Sequence, residues 1–156
     1  HYADLFSDDP GLKHRLVDLG PRIYELSDFL ANVMQVENVP GKLSAAVTYH
    51  DSCNGLRELG VCAQPRQLLK LIPGVEVREM KDARACCGFG GTFSLKYGAI
   101  SSAIVDEKIG NIQATSAQAV VLGDLGCILN IEGRLRRLGD DKTQVLHIAQ
   151  VLAGEV

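Results

Sequence analysis

No apolar run in this 156-residue chain approaches the ~18 residues that a membrane-spanning helix needs, which excludes such a helix. Positive charge is also scarce: 16 lysines and arginines against 19 aspartates and glutamates leave a net charge of −3. The basic residues are scattered along the chain, so no nucleic-acid footprint is supported. There is no repeat at a fixed period and no low-complexity tract, which removes solenoids and linker-like chains. The common phosphate-binding fingerprints are missing too. In the run Gly88-Phe89-Gly90-Gly91-Thr92-Phe93 the third glycine of G-x-G-x-x-G falls at Phe93, and no P-loop lysine follows. Nor is there a Cys-x-x-Cys knuckle, the usual grip of structural zinc.

What is present is ordinary in bulk, with 46% hydrophobic and 22% charged residues, as in a globular protein. The length fits one domain, long enough to bury ~70% of its unfolded surface. Five cysteines stand out. An odd number cannot all pair within one chain, and their crowding into particular loops resembles ligands more than a disulfide framework. The expected compartment is therefore a reducing cytoplasm. The chain begins at His1, without an initiator Met or a signal-peptide core, which predicts a piece of a longer protein.

The opening reads as helical. Asp9 before Pro10 is a cap followed by a residue suited to the first helical position, and Gly20 before Pro21 repeats the punctuation. Ile23, Leu26, Phe29, Leu30 and Val33 then form a stripe at helical spacing that ends near Pro40 and Gly41. This predicts a core-facing helical hairpin over residues 1–42, packed on the same domain as residues 43–156.

Beyond Leu43 the texture changes. Ala45-Ala46-Val47-Thr48-Tyr49 lacks polar alternation, as in a strand covered on both faces. Similar runs occupy 75–80, 119–122 and 144–148, with helical stretches at 67–71, 101–115 and 128–138 between or after them. Strands separated by helices predict an α/β fold: a four-stranded parallel sheet with helices on both faces, Rossmann-like in its three layers.

The cysteines fall where such a sheet gathers ligands, beyond the carboxyl ends of its strands. Cys53 follows the first strand, Cys86 and Cys87 follow the second, and Cys127 follows the third; Cys62 lies off this pattern. Adjacent side chains such as those of Cys86 and Cys87 diverge and are awkward to turn onto one zinc ion. An iron-sulfur cluster offers several irons, each wanting a thiolate, and relaxes that demand. Zinc, or plain thiols, remain alternatives. Gly88, Gly90 and Gly91 allow close backbone approach, and their N–H groups are candidate donors to cluster sulfur; a simple chain-reversing turn is the alternative.

Three segments carry a resemblance: His50-Asp51-Ser52-Cys53, Cys86-Cys87-Gly88-Phe89-Gly90-Gly91-Thr92-Phe93 and Cys127-Ile128-Leu129-Asn130-Ile131. They resemble the cysteine-rich CCG domain of heterodisulfide reductases and their relatives, and within that family the lactate-utilisation iron-sulfur proteins. The likeness covers nearly the whole chain, including Phe6-Ser7-Asp8-Asp9-Pro10. It implies an iron-sulfur electron-transfer domain in a complex oxidising L-lactate to pyruvate, with Cys53, Cys86, Cys87 and Cys127 as ligands. Iron-sulfur components of glycolate oxidase and heterodisulfide reductase are the alternatives; a zinc-stabilised or thiol-switch interaction module is the rival of another class. Members of the family usually carry two such domains, and this chain resembles the second, so the implied partners are an absent N-terminal half and the other subunits of the complex. The heterodisulfide reductase pattern ends in Cys-x-x-Cys, whereas Asn130 stands at the last position here. Four thiolates suit a [4Fe-4S] cluster, with zinc as a substitute.

The other candidates are weaker. His50 could relay a proton or touch substrate, but a hydrogen-bonded structural histidine is the commoner case. Asp51 is expected to cap the following turn, Cys62 to be a small buried residue, and His147 to be a core residue or a helix cap. Arg57 and Arg84 sit near the ligand cysteines in sequence, although surface arginines are usually solvated.

Overall fold

The structure, a computed structural model, describes residues 2–156; His1 lies outside them. Helix α1 (Pro10–Leu19) starts where the punctuation predicts, with the Leu12 backbone N–H donating to Asp9 Oδ1 at 3.0 Å. Helix α2 (Leu26–Asp28) is capped by the Glu25 carboxylate and continues into a π-helical turn, Phe29–Val33. The expectation of a core-facing hairpin needs correcting. No side chain of α1 is buried, and Ile23, Leu26, Phe29 and Val33 stay largely exposed. Within residues 1–42, Leu30, Ala31, Val36 and Val39 pack against the core, and of the stripe only Leu30 does, because the switch to π geometry turns it away from a single face.

Four strands follow, β1 (Ala45–Tyr49), β2 (Val75–Val77), β3 (Ala119–Leu122) and β4 (Gln144–His147), in the spatial order β2-β1-β3-β4. All three pairings are parallel, with Ala45 opposite Val75, Val47 opposite Ala119 and Ala119 opposite Gln144. The expected architecture is therefore the observed one. Helices α3 (Cys53–Glu58) and α4 (Ala63–Leu69) link β1 to β2. Helices α5 (Thr92–Lys96) and α6 (Gly98–Ala114) link β2 to β3, α7 (Leu125–Arg137) links β3 to β4, and α8 (Ile148–Ala153) closes the domain.

The sheet separates two cores. On one side Val47, Tyr49, Ala119 and Val121 pack against Leu68, Leu69, Ile72, Ile148 and Val151. On the other side Val120 and Leu122 meet Val105, Ile109, Ile112, Ile131 and Leu135, together with Cys87 and Cys127. Each fully buried aliphatic side chain contributes about 1.5–3 kcal/mol relative to exposure, so both faces help hold the strands. Strand alternation decides what comes next. Val47 and Tyr49 point to the first core, so Thr48 and His50 point to the side that holds the two buried cysteines.

Candidate metal centre

Chain direction across the sheet reverses between β1 and β3, since β2 lies beyond β1 on one side and β4 beyond β3 on the other. Such a switch point opens a crevice at the carboxyl ends of the strands. His50 directly follows β1 at this point, its backbone N–H bonded to the Val121 carbonyl of β3 at 3.0 Å. Cys127 comes from the other wall, in the first turn of α7 after β3. Asp124 caps that helix, its Oδ1 accepting from the Cys127 backbone N–H at 3.0 Å. Cys87 arrives on the loop between β2 and α5.

Among the described residues, His50, Cys87 and Cys127 form one group whose ligand atoms all lie within 4.8 Å of one another, and all three residues are buried. The two sulfurs are 3.1 Å apart. They share their protons unequally. Donation from the Cys127 thiol, with the His50 ring and the Phe89 backbone N–H nearby, lowers the Cys87 pKa against the cost of burial. The same contact, burial and the Asp124 carboxylate raise that of Cys127. The His50 ring approaches Cys87 without hydrogen-bond geometry, and neither ring nitrogen has a partner; Thr48 Oγ1 on the same face is also unpaired. Buried polar atoms are nearly always satisfied, and leaving one unpaired costs about 1–3 kcal/mol. Two thiols and an unpaired imidazole are the soft sulfur and nitrogen donors that transition metals and iron-sulfur clusters take, so the site fits metal binding.

The remaining predicted ligands are not part of this group. Cys53 is the first residue of α3, whose cap is Ser52, and Cys86 precedes Cys87 on the loop; both are exposed and stand outside the buried group. Gly88 donates its N–H to Cys86 Sγ at 3.2 Å, while Gly90 accepts from the Phe93 N–H and Gly91 precedes α5. Gly88 has φ +86°, and a Cβ there would lie 2.6 Å from the Ser101 carbonyl, so a side chain would push the loop off α6. Cys62 is not a member of the buried group; it is half-buried, its sulfur accepting from Arg84 at 3.4 Å, and the expected purely apolar setting is thus replaced by a polar contact.

Lys108 and Arg66, which hold the loops, gave no signal in the sequence, and Asn130 stood out only as a departure from a cysteine pattern. Lys108 of α6 is buried and donates to the carbonyls of Asp82 at 2.6 Å and Ala83 at 3.3 Å, fixing the loop that leads to Cys86. Burial lowers its pKa, opposed by the charges of Cys87, Asp82, Asp51 and Cys86. Asn130 donates to the Cys87 carbonyl at 2.7 Å. Arg66 clamps Asp51 with two bonds of 2.7 and 2.9 Å and also binds Glu79, so Asp51 is a buried ion-pair partner and not the expected cap. His147 does cap a helix, its Nδ1 accepting from the Ala149 N–H at 3.1 Å.

Fold and site together define a parallel α/β domain with a cysteine-rich centre at its switch point. The sequence pattern of the CCG family, described as a cysteine-rich domain, matches residues 47–132, and the chain belongs to that family. It is 43% identical over 153 residues to Lactate utilization protein A 2 of Bacillus cereus strain Q1, covering 98% of this chain and 63% of the relative. It is 45% identical over 151 residues to Lactate utilization protein A of Geobacillus kaustophilus strain HTA426, covering 97% and 63%. With Lactate utilization protein A 1 of Bacillus anthracis strain CDC 684 / NRRL 3495 the identity is 41% over 153 residues, covering 98% and 63%. The chain thus spans 63% of the length of these relatives. No described helix is long and apolar enough to cross a membrane.

Proposed function

We propose that this chain is an iron-sulfur electron-transfer domain of a cytoplasmic complex that oxidises L-lactate to pyruvate. The observation that carries the reading is the convergence of Cys87 and Cys127, from separate crossovers, on one buried volume at the switch point. The names of the relatives supply the pathway class. Cys87 and Cys127 would hold a cluster from the inside, and Cys53 and Cys86 would close it from the rim; four thiolates match the ligand count of [4Fe-4S].

When bound, the cluster supplies one-electron transfer. The chain's own residues bury it against the second core, aim the Gly88 N–H at sulfur, and keep the Lys108 ammonium near the thiolates, which offsets their negative charge. Lactate would lose two electrons and two protons at a partner subunit, and the electrons would cross this domain to a downstream acceptor. Residues 1–42 and 43–156 would act as one unit, completed by an N-terminal half of the same family. Iron and sulfide analysis of anaerobically purified protein tests the reading, and zinc without sulfide would refute it. One observation favours zinc: His50, Cys87 and Cys127 place their donor atoms within 4.8 Å of one another, a spread suited to a single ion.

A further inference from the structure

We propose that His50 is a nitrogen ligand of this centre, binding a metal ion together with Cys87 and Cys127. The inference rests on the reading that the site holds metal and adds a donor that the cysteine pattern does not contain.

The first support is the ring's lack of hydrogen-bond partners. His50 is 0% exposed, and both ring nitrogens lack a hydrogen-bond partner. A buried histidine kept for structure normally donates one N–H to a carbonyl or carboxylate. The natural candidate on the same turn, Asp51, has both carboxylate oxygens committed to Arg66. The backbone that carries the ring is held on both sides, the His50 N–H bonded to Val121 and the Asp51 N–H to the Ala83 carbonyl at 3.2 Å. A lone pair on one nitrogen, beside two thiols, makes metal ligation a role that would satisfy it.

The second support is spacing. Bonds of ~2.0 Å to nitrogen and ~2.3 Å to sulfur around a tetrahedral ion set the donors ~3.5–3.8 Å apart. The sulfurs here are 3.1 Å apart and the whole group lies within 4.8 Å, so small side-chain rotations reach that geometry.

Cobalt(II) titration of the reduced, metal-free full chain under argon tests this. One ion should bind with thiolate-to-cobalt absorption, His50→Ala should weaken it at least ~10-fold, and Cys62→Ala should change it less than ~2-fold. A second measurement needs no variant. In protein carrying 15N-labelled histidine, zinc should shift the ring nitrogens of one of the 4 histidines. Cobalt affinity unchanged in His50→Ala, no shifted histidine ring, or no cobalt bound at all would each overturn the proposal. Sulfide content separates it from the cluster reading: a sulfide-containing centre with silent histidines refutes only the His50 ligand, whereas a His50-bound ion without sulfide refutes only the cluster.

Discussion

The side chain of Asn130 donates to the carbonyl of Cys87 across 2.7 Å, tying the second turn of α7 to the loop that delivers a buried thiol. Cys127 stands on the same helix, so this bond sets the position of one sulfur relative to the other. Asn130→Leu should therefore loosen the pair without removing a thiol. Metal affinity, measured by competition with a chelator, should fall about 10-fold or more while all thiols remain titratable. Unchanged affinity would show that the helix positions Cys87 without this bond.

Lys108 holds the preceding segment. Lys108→Met leaves the carbonyls of Asp82 and Ala83 without their donor, which should cost about 1–3 kcal/mol in urea unfolding. Amide exchange should quicken over residues 82–89 and remain slow in β1 and β3. Equal loosening of the whole sheet would contradict a local role.

Gly88→Ala should be more damaging than its one added methyl group implies. The residue is at φ +86°, and the new Cβ would meet the Ser101 carbonyl at 2.6 Å. A loss of at least ~2 kcal/mol is expected, from backbone strain and overpacking together. Near-neutral stability would mean that the loop can leave α6 freely.

Asp140 gives a pH-dependent test far from the centre. Backbone donation from Thr143, then the Gln113 amide, lower its pKa to about 2. Its folded pKa thus lies below the ordinary ~3.9 of an unfolded aspartate. The stability it contributes is complete above pH ~4 and is lost as pH falls through about 2. The group is solvent-screened, so the effect should stay below about 1 kcal/mol. Asp140→Asn should flatten the acid limb of the stability curve in that window, and an unchanged limb would remove the assignment.

Much of the fold was legible because strand and helix signals alternate locally. The runs at Ala45–Tyr49 and Ala119–Leu122 are apolar enough for a sheet covered on both faces, and the helices between them force parallel crossovers. The end of β2 was not legible. A strand over 75–80 is expected from the sequence, but pairing stops at Val77, and Lys108, 26 residues beyond Asp82, binds the chain that follows. Asp51 misleads for the same reason, since its partner Arg66 is 15 residues away. In the site, cysteine spacing pointed to Cys87 and Cys127. The importance of His50 depends on which face of β1 it occupies, and the alternation of Val47 and Tyr49 against Thr48 and His50 carries that signal once one core is known.

The chain by itself should not oxidise lactate with an artificial acceptor. It carries no nicotinamide fingerprint, and it spans 63% of the length of its relatives. Lactate-dependent reduction of a dye by this chain alone would contradict the assignment of lactate oxidation to a partner.

The central claim is that the cysteines at the switch point hold an iron-sulfur cluster. Its most direct test is iron and acid-labile sulfide analysis of the anaerobically purified full-length protein, beside a Cys53→Ala, Cys87→Ala double variant. The account predicts iron and sulfide in about equal amounts, near four of each for a [4Fe-4S] cluster at this site, and their loss in the variant. Full cluster content in the double variant, or zinc without sulfide in the parent, would contradict it.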